Sequence, residues 1–563
     1  MTPQHLQALL DHLLHPEKDI DDGETVDWCR WLVGGGKTPD DFSQNVQEYN
    51  NTVMCGLVWT ANFVAFRCQT CRISQCMSLC ADCFRHGNHE GHDYNMFKSQ
   101  AGGACDCGDA SVMRESGFCT RHGPDASVRR PGAPDELMCV AENILPKMIL
   151  RLLQHLRERS IPTVAATPEE LLDSYKVTIE QADKFLNLLH EFCDMGTAMR
   201  SVITRCLVNA PQYQVLTQIN DDSEYANFMR RSAEKYSEAL HSLTNPEPPL
   251  EFQDCPALTA RLTHHTFLEE LVFWTVKYEF PQKLVCLLLN MLPDSQYKEA
   301  FTRAFVLHYS RMSLMLVKSH NSDSLSNRVV HVSVQLFSNE ELALRMTDNL
   351  YLLHIMVSSL KNMMSNVLCQ NTLGEQQQNY HEVVDCAEHV MKDHCYWPLV
   401  SDLNNVLSHP PIAYRFMQDE KLLGMWFDFL SMFQGMNVNV REMEAHIEFE
   451  PNTYYAAFSA ELEASASPMW ALVSHLRDAS TRHLTLNVIK QCLAAIRDWF
   501  GAINFSRPEQ VDRLKVSFHL PLHRYFSVFV RQAVKLQGFS LAELLPDKQK
   551  QKNICGGGGG RKL

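Results

Sequence analysis

Nine of the twenty cysteines lie between Cys55 and Cys119, and the other eleven are scattered singly along the rest of the chain. One dense cluster in an otherwise ordinary chain is typical of metal binding in a reducing compartment rather than of a secreted disulfide scaffold. Residues 55–122 also lack a sustained helical period and are rich in His and Gly. These features predict a zinc-nucleated domain, which we place at residues 51–124.

The cluster is organised in short-range pairs, as zinc sites require. Zinc binds four ligands in a tetrahedron, and closed structural sites use Cys thiolates and neutral His. The pairs Cys68-x-x-Cys71 and His89-x-x-His92 complete one such site. Seven candidate ligands remain for two further sites, namely Cys55, Cys80, Cys83, Cys105, Cys107, Cys119 and His122.

These eleven ligands are one too few for three tetrahedral zinc ions, which need twelve contacts. One thiolate must therefore bridge two ions, since sulfur has several lone pairs and an imidazole nitrogen has one. The pattern predicts a binuclear cluster and one isolated zinc. The Cys105-x-Cys107 pair and the short series argue against a cross-braced RING domain.

The spacing as a whole resembles the UBR box, the N-terminus-reading module of N-degron ubiquitin ligases. The matching motifs are Cys55-Gly56, Cys68-x-x-Cys71, Cys80-x-x-Cys83-Phe84, His89-x-x-His92, Gly102-Gly103-x-Cys105-Asp106-Cys107-Gly108-Asp109 and Cys119-x-x-His122. Three segments beyond the box, residues 280–283, 334–341 and 454–458, also resemble the amino-terminal part of such a ligase.

The resemblance implies which ligands share an ion. Cys68, Cys71, His89 and His92 would hold one zinc. Cys55, Cys80, Cys83 and Cys105 would hold a second, and Cys83, Cys107, Cys119 and His122 a third, with Cys83 as the bridge. Cys76 and His86 fall outside this pattern and are interpreted as a packing thiol and a surface imidazole.

Two carboxylates in the box are not needed for metal. Asp106 lies between two ligands and Asp109 follows the second by two positions, so zinc fixes their backbones. A free α-amino group, with a pKa of about 7.7 to 8.0, is a cation suited to them. Familiar members of the family have a third acidic residue at the position of Ser74 and a bulkier residue at Ala104, so a preference for basic N-termini is in question here.

Beyond the box the sequence is typical of long helices. Ile144, Met148, Leu152 and Leu156 recur every four residues and predict one buried helical face. We expect a mainly α protein in which the small zinc domain is followed by an elongated helical scaffold. The predicted divisions are short helices in residues 1–34, a linker at 35–50, the zinc domain, the scaffold at 125–545 and a flexible tail at 546–563.

Local patterns give finer predictions. Thr167-Pro168-Glu169-Glu170 has the signature of a capped helix start, and Ser338 with Glu341 repeats the capping pattern. The alternation of Val330, Val332, Val334 and Leu336 predicts a strand, as does residues 447–449. A helix is predicted over residues 378–396.

Composition limits the functional classes. The formal charge of −15 disfavours a phosphate-contacting surface, so a zinc-dependent nucleic-acid binder is a weaker hypothesis. The longest apolar region, near residues 271–292, is interrupted by charged residues and a proline, so no membrane span is expected. We expect a soluble, cytoplasmic protein.

The leading hypothesis is the substrate-recognition region of a UBR-type E3 ubiquitin ligase. Its partners would be substrate N-termini and an E2 conjugating enzyme. The E2 would bind through a RING domain that we do not expect in this chain, because no second Cys/His series follows His122. No catalytic residue is predicted. The alternative is an adaptor whose zinc box replaces a core too small to fold alone and binds no N-terminus.

Overall fold

The computed structural model describes fifteen stretches of the chain, and the predicted strand at 447–449, the tail at 546–563 and Cys76 lie outside them. The chain forms two compact units, each with more contacts inside it than to the other. The first unit comprises Met1–Glu247 and Cys255–Leu336, and the second comprises Pro248–Asp254 and Phe337–Leu563. The described residues are 3–49, 52–59, 63–74, 77–99, 103–126, 132–160, 167–219, 224–253, 255–259, 262–319, 322–372, 379–385, 388–437, 453–502 and 518–537.

Three short helices open the first unit: α1 (Pro3–Leu13), α2 (Gly23–Val33) and α3 (Pro39–Gln47). The third corrects the prediction of a linker at residues 35–50. Thr38 caps α3 by accepting a hydrogen bond from the Asp41 N–H at 3.2 Å, and α3 buries Phe42 and Val46.

The zinc domain is a small antiparallel sheet with one helix. It contains β1 (Val64–Cys68), β2 (Leu79–Cys80), α4 (Ala81–His86) and β3 (Tyr94–Lys98), and the strand order is β2-β1-β3. The register pairs Ala65 with both Cys80 and Phe97.

Helices supply the rest of the first unit, and several sequence predictions are confirmed there. Ile144, Met148, Leu152 and Leu156 are all buried on α5. Thr167 and Glu170 form the predicted reciprocal capping box. The helices are α5 (Asp135–Arg159), α6 (Pro168–Glu180), α7 (Asp183–Asp194), α8 (Thr197–Leu207), α9 (Ala210–Thr217), α10 (Glu224–Ser242), α11 (Pro256–Thr259), α12 (Phe267–Lys277), α13 (Gln282–Leu289), α14 (Ser295–Leu307), α15 (Tyr309–Lys318) and α16 (Ser322–Phe337).

The second unit is also mainly helical, and its described residues include two small antiparallel strand pairs, β4 with β5 and β6 with β7. Its elements are α17 (Glu340–Leu350), α18 (Leu352–Ser365), β4 (Leu368–Thr372), β5 (Asn379–Val384), α19 (His389–Lys392), α20 (Trp397–Leu407), α21 (Pro410–Gln418), α22 (Glu420–Ser431), β6 (Met436–Asn437), α23 (Thr453–His475), α24 (Arg482–Ala502), β7 (Phe518–His519) and α25 (Pro521–Leu536).

Two further secondary-structure predictions are wrong. The alternating segment from Val330 to Leu336 is helical and lies within α16. The buried residues of α16 follow the helical period, at Leu325, Val329, Val332 and Leu336, whereas Val334 is exposed.

The described part of residues 378–396 contains strand β5 and the short helix α19 instead of one helix. The buried β-branched pair Val383 and Val384 favours the extended backbone, and the Val384 N–H donates to the Met432 carbonyl at 2.9 Å.

The predicted fold class, mainly α with a zinc-binding domain ahead of a helical region, is confirmed. Among the described residues, every helix is too short or too polar to span a bilayer.

Candidate metal centre and adjoining carboxylates

The structure brings the eleven predicted ligands together in three groups of four. Within each group the ligand atoms lie within 4.8 Å of one another, and Cys83 belongs to two groups. The groups are Cys55, Cys80, Cys83 and Cys105; Cys68, Cys71, His89 and His92; and Cys83, Cys107, Cys119 and His122.

The Cys2His2 group has the dimensions of a zinc site. Bonds of about 2.3 Å to sulfur and about 2.0 Å to nitrogen in a tetrahedron place S and N about 3.5 Å apart. The His92 Nδ1 lies 3.2 Å from the Cys71 Sγ and 3.5 Å from the Cys68 Sγ. The His89 Nδ1 lies 3.7 Å from the Cys71 Sγ. The residues therefore fit a zinc ion.

Of the two groups that share Cys83, the one that contains His122 has the same dimensions. The His122 Nδ1 lies 3.4 Å from the Cys83 Sγ and 3.1 Å from the Cys119 Sγ. Backbone N–H groups also donate to sulfur, from Cys80 to the Cys105 Sγ at 3.2 Å and from Cys119 to the Cys107 Sγ at 3.3 Å. Such bonds stabilise thiolates, which are the form that binds zinc.

The ligands are also the interior of the domain. Seven of the twelve buried residues in its core cluster are cysteines. Glycine is required close to the ligands, as at Gly108, where φ is +98° and a Cβ would lie 2.0 Å from the Val53 carbonyl oxygen. Because so little apolar surface is buried, the fold of this domain depends on its ligand set.

Asp106 is held at both its backbone and its side chain. Its N–H donates to the Ser78 carbonyl at 2.9 Å, and its Oδ2 accepts from the Ser78 N–H at 2.7 Å. Burial raises the pKa of this carboxyl to about 6, opposed by the Ser78 hydrogen bond and assisted by the nearby charge of Asp109. One carboxylate oxygen is thus fixed in a preorganised position.

Asp109 and Ser74 lie on two loops that backbone hydrogen bonds connect through Val112. The Asp109 Oδ1 accepts from the Ser111 N–H at 2.9 Å and from its hydroxyl at 2.6 Å. The Ser74 N–H donates to the Val112 carbonyl at 3.0 Å. Since the Val112 N–H in turn donates to the Asp109 carbonyl at 3.3 Å, the Ser74 loop is tied to the carboxylate loop.

Sequence reasoning missed the groups that orient these carboxylates. Ser78 leaves no motif, because its hydrogen bond to Asp106 depends on the folded loop. Ser111 could have been found, since Asp-x-Ser is the pattern of a side-chain turn. Arg67, whose Nε donates to the Met77 carbonyl at 3.1 Å and whose guanidinium lies 5.0 Å from the Phe97 ring centre, is also outside the ligand pattern.

Four cysteines outside the box are buried thiols of the helical region. Burial raises the pKa of the Cys193, Cys206 and Cys492 thiols to about 12, which makes them poor nucleophiles. Cys286 is likewise buried, with a pKa raised to about 11. His86 is exposed beside Asp82.

Two family models match the chain. The zinc finger in N-recognin, or UBR box, matches residues 54–122, and the UBR1/2/3-like ARM repeat domain matches residues 218–523. The first contains all three ligand groups. The second covers more than half of the chain.

Curated relatives match nearly the whole chain. The E3 ubiquitin-protein ligase Ubr3 of Drosophila melanogaster is 52% identical over 550 residues, which are 97% of this chain and 24% of the relative. UBR3 of Homo sapiens is 44% identical, over 97% of this chain and 32% of the relative. PRT6 of Arabidopsis thaliana is 24% identical over 77% of the chain. The chain thus spans about a quarter to a third of the length of the first two.

Proposed function

Because the chain belongs to the UBR-box family of E3 ubiquitin-protein ligases, within its UBR1/2/3-like group, we propose that it is the substrate-recognition region of such a ligase. The box would bind the N-termini of substrate proteins, and the helical region would support it. The E2 conjugating enzyme would bind a RING domain elsewhere in the full-length ligase. The protein would act in the cytoplasm, which suits its zinc-binding cysteines, and nucleic acid is not among its proposed partners.

Three zinc ions would be held by the three groups of ligands, with Cys83 bridging two of them. The bound metal would supply structure, because each group offers four protein ligands and a closed site has no position for water. Measured zinc content should be three per chain. A value of two would contradict the bridged arrangement.

The observation that supports N-terminus binding is the placement of Asp106. Its neighbours on both sides are ligands, so its backbone cannot move without disturbing two zinc groups. Ser78 fixes one carboxylate oxygen and leaves the other for an incoming donor. A charge-assisted hydrogen bond contributes about 1.5 to 3 kcal/mol, so two such bonds, with Asp109, are enough for weak, specific peptide binding.

Calorimetric titration of the zinc-loaded full chain tests this function. Peptides that differ only in their first residue are compared with N-acetylated copies. Asp106→Asn keeps an acceptor for the Ser78 N–H but removes the charge, so it should weaken binding at least about tenfold. Glu115→Gln, at an exposed carboxylate of the same domain, is the matched control and should bind as the wild type.

A second candidate function, an adaptor that reads no N-terminus, is favoured by a different observation. Both carboxylates already accept local hydrogen bonds, Asp106 from Ser78 and Asp109 from Ser111, as purely structural residues do. The adaptor would bind acetylated and unacetylated peptides equally, or neither. It would also keep its zinc and its protein partners after Asp106→Asn.

A further inference from the structure

The zinc box adjoins the corner between α13 and α14. Gly56 has φ of +58°, and a Cβ there would lie 2.2 Å from the Cγ of Pro293. Beside this contact is a cavity of about 470 Å³ lined by Thr52, Val53 and Met54 from the box and by residues 291 and 293–296 from the corner, together with residues of α8. The start of α14 is therefore next to the box.

The strand-like segment at this contact leads directly to the carboxylates. The Cys55 N–H donates to the Cys107 carbonyl at 2.9 Å, and the Gly56 N–H donates to the Cys105 carbonyl at 3.2 Å. Asp106 lies between these two acceptors. Pro293, between α13 and α14, thus contacts the segment of Cys55 and Gly56. That segment is hydrogen-bonded to the loop that carries Asp106 and leads to Asp109.

Lys298 lies in the first turn of α14, four residues after Asp294, which lines this cavity. Its N–H donates to the Asp294 carbonyl at 2.9 Å, and its side chain is half-buried. Within the described part of the chain, its ammonium makes no hydrogen bond and no ion pair. Burial lowers its pKa, and Asp109 is close enough to act in the opposite direction and favour the charged form. An unpaired cation therefore lies within electrostatic range of the proposed peptide site.

We propose that Lys298 is a specificity-determining residue that makes the box select N-termini whose first side chain is neutral or acidic and reject basic ones. The inference rests on the proposed function, since it concerns the same site. Asp106 and Asp109 supply two negative charges, Lys298 and Arg67 supply two positive charges, and Ser74 supplies none. The two carboxylates can therefore accept hydrogen bonds from one α-ammonium, but no surplus negative charge remains for an Arg or Lys side chain. An acidic first side chain can instead approach the Lys298 ammonium.

Lys298→Glu in the zinc-loaded full chain reverses this charge. Titrations use four peptides of identical body that begin with Ala, Glu, Arg or N-acetyl-Ala. The wild type should bind the Ala and Glu peptides about tenfold or more tighter than the Arg peptide. In Lys298→Glu the affinity for the Arg peptide should rise about tenfold relative to the affinity for the Ala peptide, and the affinity for the Glu peptide should fall. Lys298→Gln removes the charge without reversing it, so its Arg-to-Ala affinity ratio should lie between those of the wild type and Lys298→Glu. This variant also shows whether a local distortion by Glu, rather than its charge, causes the change.

Two controls isolate the cause. Arg303→Glu makes the same charge change at an exposed position of α14, more than one turn away, and should leave all peptide ratios unchanged. Ser74→Asp adds a carboxylate from the box itself and should raise Arg-first binding by an independent route. Zinc content confirms that each variant is folded.

The outcomes separate the two hypotheses. Acetylation-sensitive binding with the same Arg-to-Ala ratio in wild type and Lys298→Glu overturns the role of Lys298 and leaves N-terminus recognition intact. A wild type that prefers the Arg peptide also overturns it. Absence of acetylation-sensitive binding in the wild type and in all variants overturns both proposals.

Discussion

The zinc box and the helix pair α12 and α13 exclude water with different side chains. The core cluster of the box is mostly cysteine, whereas α12 and α13 bury large apolar groups such as Phe273, Trp274 and Leu284. Thiolates repel one another without a metal, but transfer of apolar side chains to water is unfavourable whether or not an ion is bound. One region should therefore need zinc to fold and the other should not.

Removal of zinc should have the largest and most uneven effect. Structural zinc contributes about 10 to 16 kcal/mol to the folding of small domains, so a strong chelator should unfold the box. Helices α12 and α13 should stay folded. Hydrogen exchange measures both at once: amides of β1 and β3 should exchange after chelation, while those of α12 remain protected. Equal loss of protection in both regions would contradict the comparison.

Substitution of single ligands should sharpen the comparison between the zinc box and the helical region. Cys83 belongs to two ligand groups, so Cys83→Ser should lower zinc content by two ions per chain, while Cys68→Ser should lower it by one. Cys492→Ser replaces a buried thiol of the helical part and should leave zinc unchanged. Metal analysis of the three purified variants decides the point. Equal losses for Cys83 and Cys68 would remove Cys83 from its bridging role.

A polar group in the helical core offers the opposite test. Glu270 is fully buried on α12 and accepts from Arg157 at 2.7 Å and 2.6 Å, from the Tyr213 hydroxyl at 2.6 Å and from the Trp274 Nε1 at 3.0 Å. Glu270→Ala leaves the Arg157 charge buried and unpaired, which costs about 3 to 5 kcal/mol. Chemical denaturation should show this loss in the helices.

Zinc content should stay at the wild-type value in folded Glu270→Ala. The conservative variant Glu270→Gln keeps two of the acceptor positions and should lose less. If both variants release zinc at denaturant concentrations that leave the helices folded, the zinc box and the helical core are not stabilised independently of each other.

Acid should destabilise the second unit through Glu461. Burial opposes its charge, but hydrogen bonds from His519, at 2.6 Å, and the ion pair with Arg524 hold the pKa of Glu461 below its ordinary value of 4.5. A lowered folded pKa stabilises the protein above the unfolded value, and this contribution is lost as pH falls through the folded value.

Urea unfolding of the second unit, followed by amide exchange in α23, checks the sign. At pH 7 Glu461→Gln should be less stable than wild type by about 1 to 3 kcal/mol. The difference should shrink as the pH falls below 4.5 and through the lowered pKa of the folded wild-type carboxyl. A constant difference across this range would assign the effect to packing. The zinc box should lose metal in acid as well, because its ligands become protonated, so the probe must lie in α23.

The Cys2His2 group could be predicted from spacing because its ligands come in two pairs, each three positions apart, whereas the division of the other seven ligands between two ions followed from the family resemblance. The buried face of α5 could be predicted because the helical period is local too. The Ser78 bond to Asp106 and the position of Lys298 could not, since they join residues that only the folded chain brings together. The wrong strand at Val330–Leu336 shows the reverse error, in which β-branched residues at alternate positions outweighed the helical spacing of the buried ones.

The smallest effect concerns which of two adjacent residues caps α17. The sequence suggested Ser338 with Glu341, but the structure has Asn339 at the cap, where its Oδ1 accepts from the Leu342 N–H at 2.9 Å. Asn is as good a cap as Ser, and Glu340 and Glu341 then lie in the first turn, where the helix dipole favours negative charge. Asn339→Ala should therefore cost about 1 kcal/mol of unfolding free energy. Ser338→Ala, at an exposed position outside the helix, should cost almost nothing in the same urea titration. The reverse ranking would restore Ser338 as the cap and shift the start of α17 by one residue.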